Sequence, residues 1–271
     1  MPGLEGAIDL QADAKLLADA AQDAGAIALA HFQSDPQVWD KGGGAGPVTE
    51  ADLAVNAMLE SRLRAARPGY GWLSEETEDS DRRLSQDTTF IVDPIDGTRA
   101  FIEGSHHWGI SLAVVQNGQP IAAVVAMPAK GDVYVAALGD GALKNGQPMQ
   151  VSDHDGLGGA RVLSTKWNFR PEFWRDGTPD VARHFRSSLA YRLALVAEGQ
   201  FDGMLTLRPT WEWDIAAGAL LVSEAGGQVV LPDGGTPRFN GPGAQLSGLL
   251  AAPASVLAGL MAHGPQVPAA A

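Results

Sequence analysis

The stretch IVDPIDGTRAF, residues 91–101, sets an apolar run against two aspartates three residues apart, with a proline between them and Gly97-Thr98 directly after. An apolar run that meets Asp and Pro reads as a buried strand ending in a turn. Pro94 fixes its own φ and biases Asp93 toward extended backbone, which holds the two carboxylates in a defined relation. At Gly97 and Thr98, successive N–H groups of a turn entering a helix form a concavity suited to a phosphate. Two carboxylates this close repel unless something compensates them, and a shared divalent cation is the natural partner. An oxygen-only ligand set favours Mg²⁺ or Mn²⁺ over zinc or copper. A plain strand-end turn is the competing reading.

Upstream, Ala and Leu recur at helical spacing over residues 8–32, which predicts a long amphipathic helix. The glycine-rich residues 41–47 break it and read as a flexible segment. A second helix is predicted from Thr49 through Ala65, opened by Thr49 and Asp52 in the T-x-x-D spacing of a capping box. Over residues 71–151 the pattern turns to short β-like runs punctuated by Asn117-Gly118, Lys130-Gly131 and Asn145-Gly146. They predict an antiparallel sheet behind the two helices. The second half alternates strands and helices, which predicts a layered α/β architecture. The polar residues 152–159 are the expected boundary. An α+β half over residues 1–155 thus precedes an α/β half over 156–264, with 265–271 expected as a disordered tail.

Composition limits the chemistry. The chain has 271 residues, 45% of them hydrophobic and 19% charged, enough for one large or two packed globular units. It has no cysteine, which excludes disulfides, zinc–thiolate sites and thiol nucleophiles and fits a cytoplasmic location. The first residues carry no basic start and apolar run of a secretory signal, and no run is long enough to span a membrane, so a soluble, unprocessed protein is expected. A formal net charge of −13 argues against nucleic-acid polymers as partners. A small anionic ligand remains compatible with that charge if the carboxylates converge on hard cations.

Three further acidic positions stand out, each with an ordinary alternative. Glu75-Glu76 follow a short strand-like run and could be a charged loop. Asp214, in Trp211-Glu212-Trp213-Asp214 ahead of an apolar helix, could be a first-turn acid. Asp52 already has a capping role.

Taken together, Glu75-Glu76-Thr77, Asp93-Pro94-Ile95-Asp96-Gly97-Thr98, Trp213-Asp214-x-Ala216-Ala217-Gly218 and Glu224-Ala225-Gly226-Gly227 resemble the signature of the inositol monophosphatase superfamily, over nearly the whole chain. The resemblance implies a layered αβαβα sandwich and a magnesium-dependent, lithium-sensitive phosphomonoesterase, commonly a homodimer. It implies two to three Mg²⁺ per site, with Mn²⁺ as a substitute and Li⁺ and Ca²⁺ as inhibitors. By the same resemblance Glu75, Asp93, the Ile95 carbonyl, Asp96 and Asp214 hold two metals, and Glu76 serves a third through water. Water activation falls to Thr98, paired with Asp52, together with Glu75. Gly97 and Thr98 hold the phosphate by their N–H groups, and Lys41 lies on a mobile loop near the third metal, its alternative being a solvated loop lysine. A non-catalytic binding protein on this scaffold would be expected to lack a metal carboxylate, and none is missing.

The flanks bear on the substrate. The run Asp96-Gly97-Thr98-Arg99-Ala100-Phe101-Ile102 is similar to the D-G-T-[KR]-E-F-I of 3′(2′),5′-bisphosphate nucleotidases, and Ser187-Ser188-Leu189 and Pro209-Thr210-Trp211-Glu212-Trp213-Asp214 resemble their other motifs. The expected reaction is hydrolysis of 3′-phosphoadenosine 5′-phosphate to AMP and phosphate, with myo-inositol 1-phosphate as the alternative substrate. Arg99, Ser188, Arg192, Arg208 and Glu212 are the candidate substrate contacts, with an ordinary surface arginine as the alternative for Arg192 and for Arg208. Ala100 and Ala190 depart from the nucleotidase pattern, which carries Glu and Lys there.

Overall fold

The computed structural model describes residues 10–34, 36–42 and 46–267. Part of the glycine-rich loop and the last four residues of the expected tail lie outside them. In chain order the elements are α1 (Leu10–His31), β1 (Val38–Asp40), β2 (Pro47–Thr49), α2 (Glu50–Ala66), β3 (Gly71–Ser74), β4 (Thr88–Asp96), α3 (Thr98–Ile102), β5 (Gly109–Gln116), β6 (Gln119–Met127), β7 (Asp132–Ala137), β8 (Gly141–Lys144) and β9 (Gln147–Pro148). There follow β10 (Arg161–Leu163), β11 (Ala182–His184), α4 (Leu189–Ala197), β12 (Gly203–Thr206), β13 (Thr210–Trp211), α5 (Glu212–Glu224), β14 (Gln228–Val230), β15 (Gln245–Leu246), β16 (Leu249–Ala252) and α6 (Ala254–Ala262).

Strands β3 to β9 form one seven-stranded sheet in sequence order. The expected antiparallel sheet is present with one correction: β3 and β4 pair in parallel, because a crossover through residues 81–85 joins them instead of a hairpin. A second sheet runs β11-β10-β12-β16-β14. Alternate side chains of the large sheet sort into two cores, as a period of two requires. Phe90 and Val92 of β4 and Ile110, Leu112 and Val114 of β5 pack with Leu17, Val55 and Leu59 of α1 and α2. Ile91, Ala113 and Val115 face Leu193 of α4 and Leu221 of α5, which also meet Met204 and Ala251 of the second sheet. A third core joins that sheet's far face to Leu257 and Leu260 of α6. The layers are therefore α, β, α, β, α, with β4 buried at every position and unable to show a polar face in its sequence.

Gly218 explains how the middle helical layer closes. A Cβ there would fall 2.4 Å from the Leu193 side chain, so only glycine lets α5 lie this close to α4. At the chain's end, Pro265 bridges Trp174 and the Gln266 N–H donates to the Phe173 carbonyl, so the first residues of the expected tail belong to the folded body.

Candidate metal and phosphate site

In a regular strand, residues three apart point to opposite faces. Asp93 and Asp96 escape this because β4 bulges: Asp93 pairs with Ser111 and Asp96 with Gly109, three residues against two. Pro94 sits in the bulge, where its missing N–H costs the ladder nothing. The extra residue turns Asp96 to the side of Asp93, and Asp214 joins them from the first turn of α5. Carboxylate oxygens of these three lie within 4.8 Å of one another. Across the ladder from Asp93, the Ser111 hydroxyl donates to the Trp213 carbonyl at 2.9 Å, which pins the start of α5 against β5 at that level.

Each carboxylate is then oriented. Asp93 Oδ1 accepts the Ile95 N–H at 3.0 Å. Asp96 Oδ2 accepts from the Ser188 hydroxyl and the Ala190 N–H, both at 2.6 Å, at the N-terminus of α4. Ser188 also caps that helix by accepting the Tyr191 N–H. The Thr98 hydroxyl lies 3.2 Å from both Asp52 Oδ1 and the Ile95 carbonyl. The expected capping box is formed: Thr49 accepts from the Ala51 and Asp52 N–H groups, while Asp52 Oδ2 takes the Thr49 N–H and hydroxyl. Gly97 is left-handed at φ 97°, and a Cβ there would meet the His107 carbonyl at 3.1 Å, so the turn into α3 demands glycine.

Burial and mutual repulsion dominate the electrostatics. Burial, then Glu75, Asp96 and Asp214, holds the Asp93 carboxyl well above the usual carboxylate range. Burial, then Asp96 and Glu75, does the same to Asp214. Asp96 is pushed up to about 6 by burial, against the bonds from Ser188 and Ala190. Burial also raises Asp52, opposed by its bonds from Thr49. This donor set of crowded carboxylate oxygens, with Asp93 and Asp96 buried and Asp214 partly so, fits a hard divalent cation, whose charge would favour the ionised forms that the protein alone disfavours.

Glu75 stands outside the close triad and pairs with Lys41 Nζ at 2.8 Å. The same ammonium contacts Glu76, whose carboxyl burial pushes up to about 7 despite that bond. Burial works against the Lys41 charge, but Glu75 and Glu76 outweigh it and raise its pKa. Lys41 is thus no solvated loop lysine: it leaves β1 and is fixed to both glutamates.

In the metal-free protein, Asp96 and Glu76 hold a proton more tightly folded than unfolded. Their contribution to stability is full below the unfolded values and is lost as pH rises through about 6 to about 7. Melts in chelator are expected to show Tm falling from about pH 5 to about pH 7.5, and Mg²⁺ is expected to restore most of the loss by binding only the folded state. A chelator-treated Tm that stays level or rises over this window would contradict these electrostatics.

Of the candidate substrate contacts, the structure gives three other partners. Ser188 serves Asp96. Glu212 is fully buried, its carboxylate accepting the Asn240 and Gly241 N–H groups at 2.5 and 2.9 Å. Arg192 is 4% exposed and donates to the Arg186 and Ser187 carbonyls, while its charge favours the ionised forms of Asp96 and Asp214. Arg99 is exposed near Gly46 of the β1–β2 hairpin. Arg208 is exposed, and its charge opposes the rise at Asp214. Residues missed in the sequence are those whose partners lie far along the chain: Ser111 on Trp213 and the Ala190 N–H on Asp96.

Residues 9–266 match the model of the inositol monophosphatase family. An inositol-1-monophosphatase of Rhizobium meliloti (strain 1021) is 34% identical over 213 residues, covering 71% of this chain and 75% of its own. The Nus factor SuhB of Pseudomonas aeruginosa is 36% identical over 197 residues, covering 67% and 71%. Among solved structures, an IMPase of Thermotoga maritima superposes with a TM-score of 0.75 at 28% identity, over 89% of this chain and 91% of its own. Buried carboxylates on a bulged strand, a capped Asp52 behind Thr98 and this match along the chain lead to one assignment: the protein belongs to the inositol monophosphatase family, whose members are metal-dependent phosphomonoesterases.

Proposed function

We propose that the chain hydrolyses an inositol monophosphate. The observation that carries the reaction is the triad of Asp93, Asp96 and Asp214 set beside the Thr98–Asp52 pair. Bound Mg²⁺ ions would supply charge to polarise the phosphate, to lower the pKa of an attacking water and to stabilise the alcohol oxygen that leaves as its bond to phosphorus breaks. Asp93, Asp96 and Asp214 would hold two such ions, together with the Ile95 carbonyl and Glu75, with Glu76 serving a third, water-linked ion. Asp52, as an anionic acceptor, draws the Thr98 proton toward itself and leaves the Thr98 oxygen free to accept a proton from the attacking water. The N–H groups of Gly97, the N-cap of α3, and of Thr98, its first residue, have no intrahelical acceptor and would hold the transferred phosphate. Mn²⁺ as a substitute, Li⁺ and Ca²⁺ as inhibitors, a homodimer and a cytoplasmic location complete the reading. Among the described residues no helix is long and apolar enough to cross a membrane.

Support for the inositol ester over the nucleotide expected from the flanks comes from the named relatives and from two buried alanines. Ala100 and Ala190, 1% and 0% exposed, stand where the nucleotidase pattern has Glu and Lys. An alanine at either position offers a nucleotide no charged or polar side-chain contact. A second reading, 3′-phosphoadenosine 5′-phosphate, is favoured by exposed Arg208 and by Trp211, stacked on Trp213 at 4.7 Å with 41% exposure, as a cation and an aromatic face for a nucleotide.

The two esters separate in a turnover panel with Mg²⁺. Inositol 1-phosphate is expected to lead in kcat/KM by at least about tenfold, or ~1.4 kcal/mol in the barrier. The opposite ratio would return the assignment to the nucleotide.

A further inference from the structure

We infer that Asn56 is a positioning residue that sets the Glu75-Glu76 turn against the Asp93 cluster, an inference that rests on the reading of Glu75 as a metal ligand. Asn56 follows Asp52 by four residues and so shares its face of α2. That one face reaches both strand ends that carry the acidic residues. Asp52 holds Thr98, just past β4, and Asn56 holds the turn just past β3.

The contacts of Asn56 leave little freedom. It is 7% exposed, and its Nδ2 donates to Thr77 Oγ1 at 3.0 Å and to the Glu76 carbonyl at 3.4 Å. Its Oδ1 accepts from the Ser74 hydroxyl at 2.7 Å, and Ser74 Oγ in turn accepts the Glu76 N–H. Trp72 Nε1 donates to the same Thr77 oxygen. Two donors and an acceptor of one amide thus fix residues 74, 76 and 77, with Glu75 between them. The Glu75 N–H is bonded to the Val92 carbonyl, which ties the turn to the strand residue preceding Asp93. A carboxylate of the same shape would lose the Nδ2 donors, and an apolar isostere would lose all three bonds.

Asn56 touches neither phosphate nor water in this role, so its loss is expected to act through metal affinity. Asn56→Leu is compared with Glu75→Gln and the parent by titrating Mg²⁺ against turnover and against Tm, the second readout being independent of catalysis. The Mg²⁺ midpoint of Asn56→Leu is expected to rise about tenfold in both titrations, as for residues that orient metal ligands, with kcat at saturating Mg²⁺ within about threefold of the parent. Thr77→Val, which removes the acceptor but keeps the amide, is expected to move the midpoint the same way and serves if Asn56→Leu does not fold. A lower metal-free Tm with an unmoved midpoint would make Asn56 merely structural and overturn the inference. If Glu75→Gln also left the midpoint in place, the ligand reading would fall and this inference with it. If only Glu75→Gln moved it, the ligand reading would stand and the role of Asn56 alone would fall.

Discussion

Replacing Asp93 by asparagine is expected to lower Mg²⁺-dependent turnover by about a thousandfold or more, near 4 kcal/mol in the barrier, while raising the Tm of the metal-free protein by a few degrees. Both effects have one cause. Asp93 is 1% exposed and shares its surroundings with Glu75, Asp96, Asp214 and Asp52, so an ionised carboxyl there is costly until a cation arrives. Asparagine keeps the shape, and its Oδ1 still accepts the Ile95 N–H. It removes the charge that repels Asp96 and Asp214, which relieves the folded state, and on the proposed function it also removes an anionic ligand and so weakens Mg²⁺ binding. Melts in chelator and in Mg²⁺, alongside turnover at saturating Mg²⁺, separate these consequences. An active variant, or one with a lower metal-free Tm, would show that Asp93 is not part of a strained cation site.

How much of this was legible in the chain depends on how far away each partner lies. The T-x-x-D of Thr49 and Asp52 predicted a capping box, and one is formed, because both partners sit within four residues. The Asp93-Pro94-Ile95-Asp96 run shows two carboxylates in a defined relation, yet not the bulge that brings both to one side. That bulge is defined only by register against Ser111 and Gly109 of β5. Ser188 could be read as a substrate contact because its acceptor, Asp96, lies 92 residues away. Glu212 reads as a substrate contact for the same reason, since the amides its carboxylate accepts from belong to Asn240 and Gly241. The parallel β3–β4 edge and the docking of Pro265 against Trp174 likewise depend on tertiary placement that no local pattern encodes.

Thr98→Val is expected to lower kcat by about 10²- to 10⁴-fold with a small change in the Mg²⁺ midpoint, since valine keeps the shape of threonine and removes only the hydroxyl. Asp52→Asn is expected to fall in the same range by a different route. Asp52 divides its oxygens between Thr49 and Thr98, so an amide must turn its NH₂ toward one of them. If it faces Thr98, the hydroxyl loses the acceptor that orients it; if it faces Thr49, the cap of α2 is broken at about 1 kcal/mol in stability. The two residues act as a unit, so the double variant is expected to be no slower than Thr98→Val alone by more than about threefold. Independent roles would instead multiply the two losses. A multiplied loss in kcat, measured at saturating Mg²⁺ on folded protein, would mean that Asp52 reaches the reaction by some path other than the Thr98 hydroxyl.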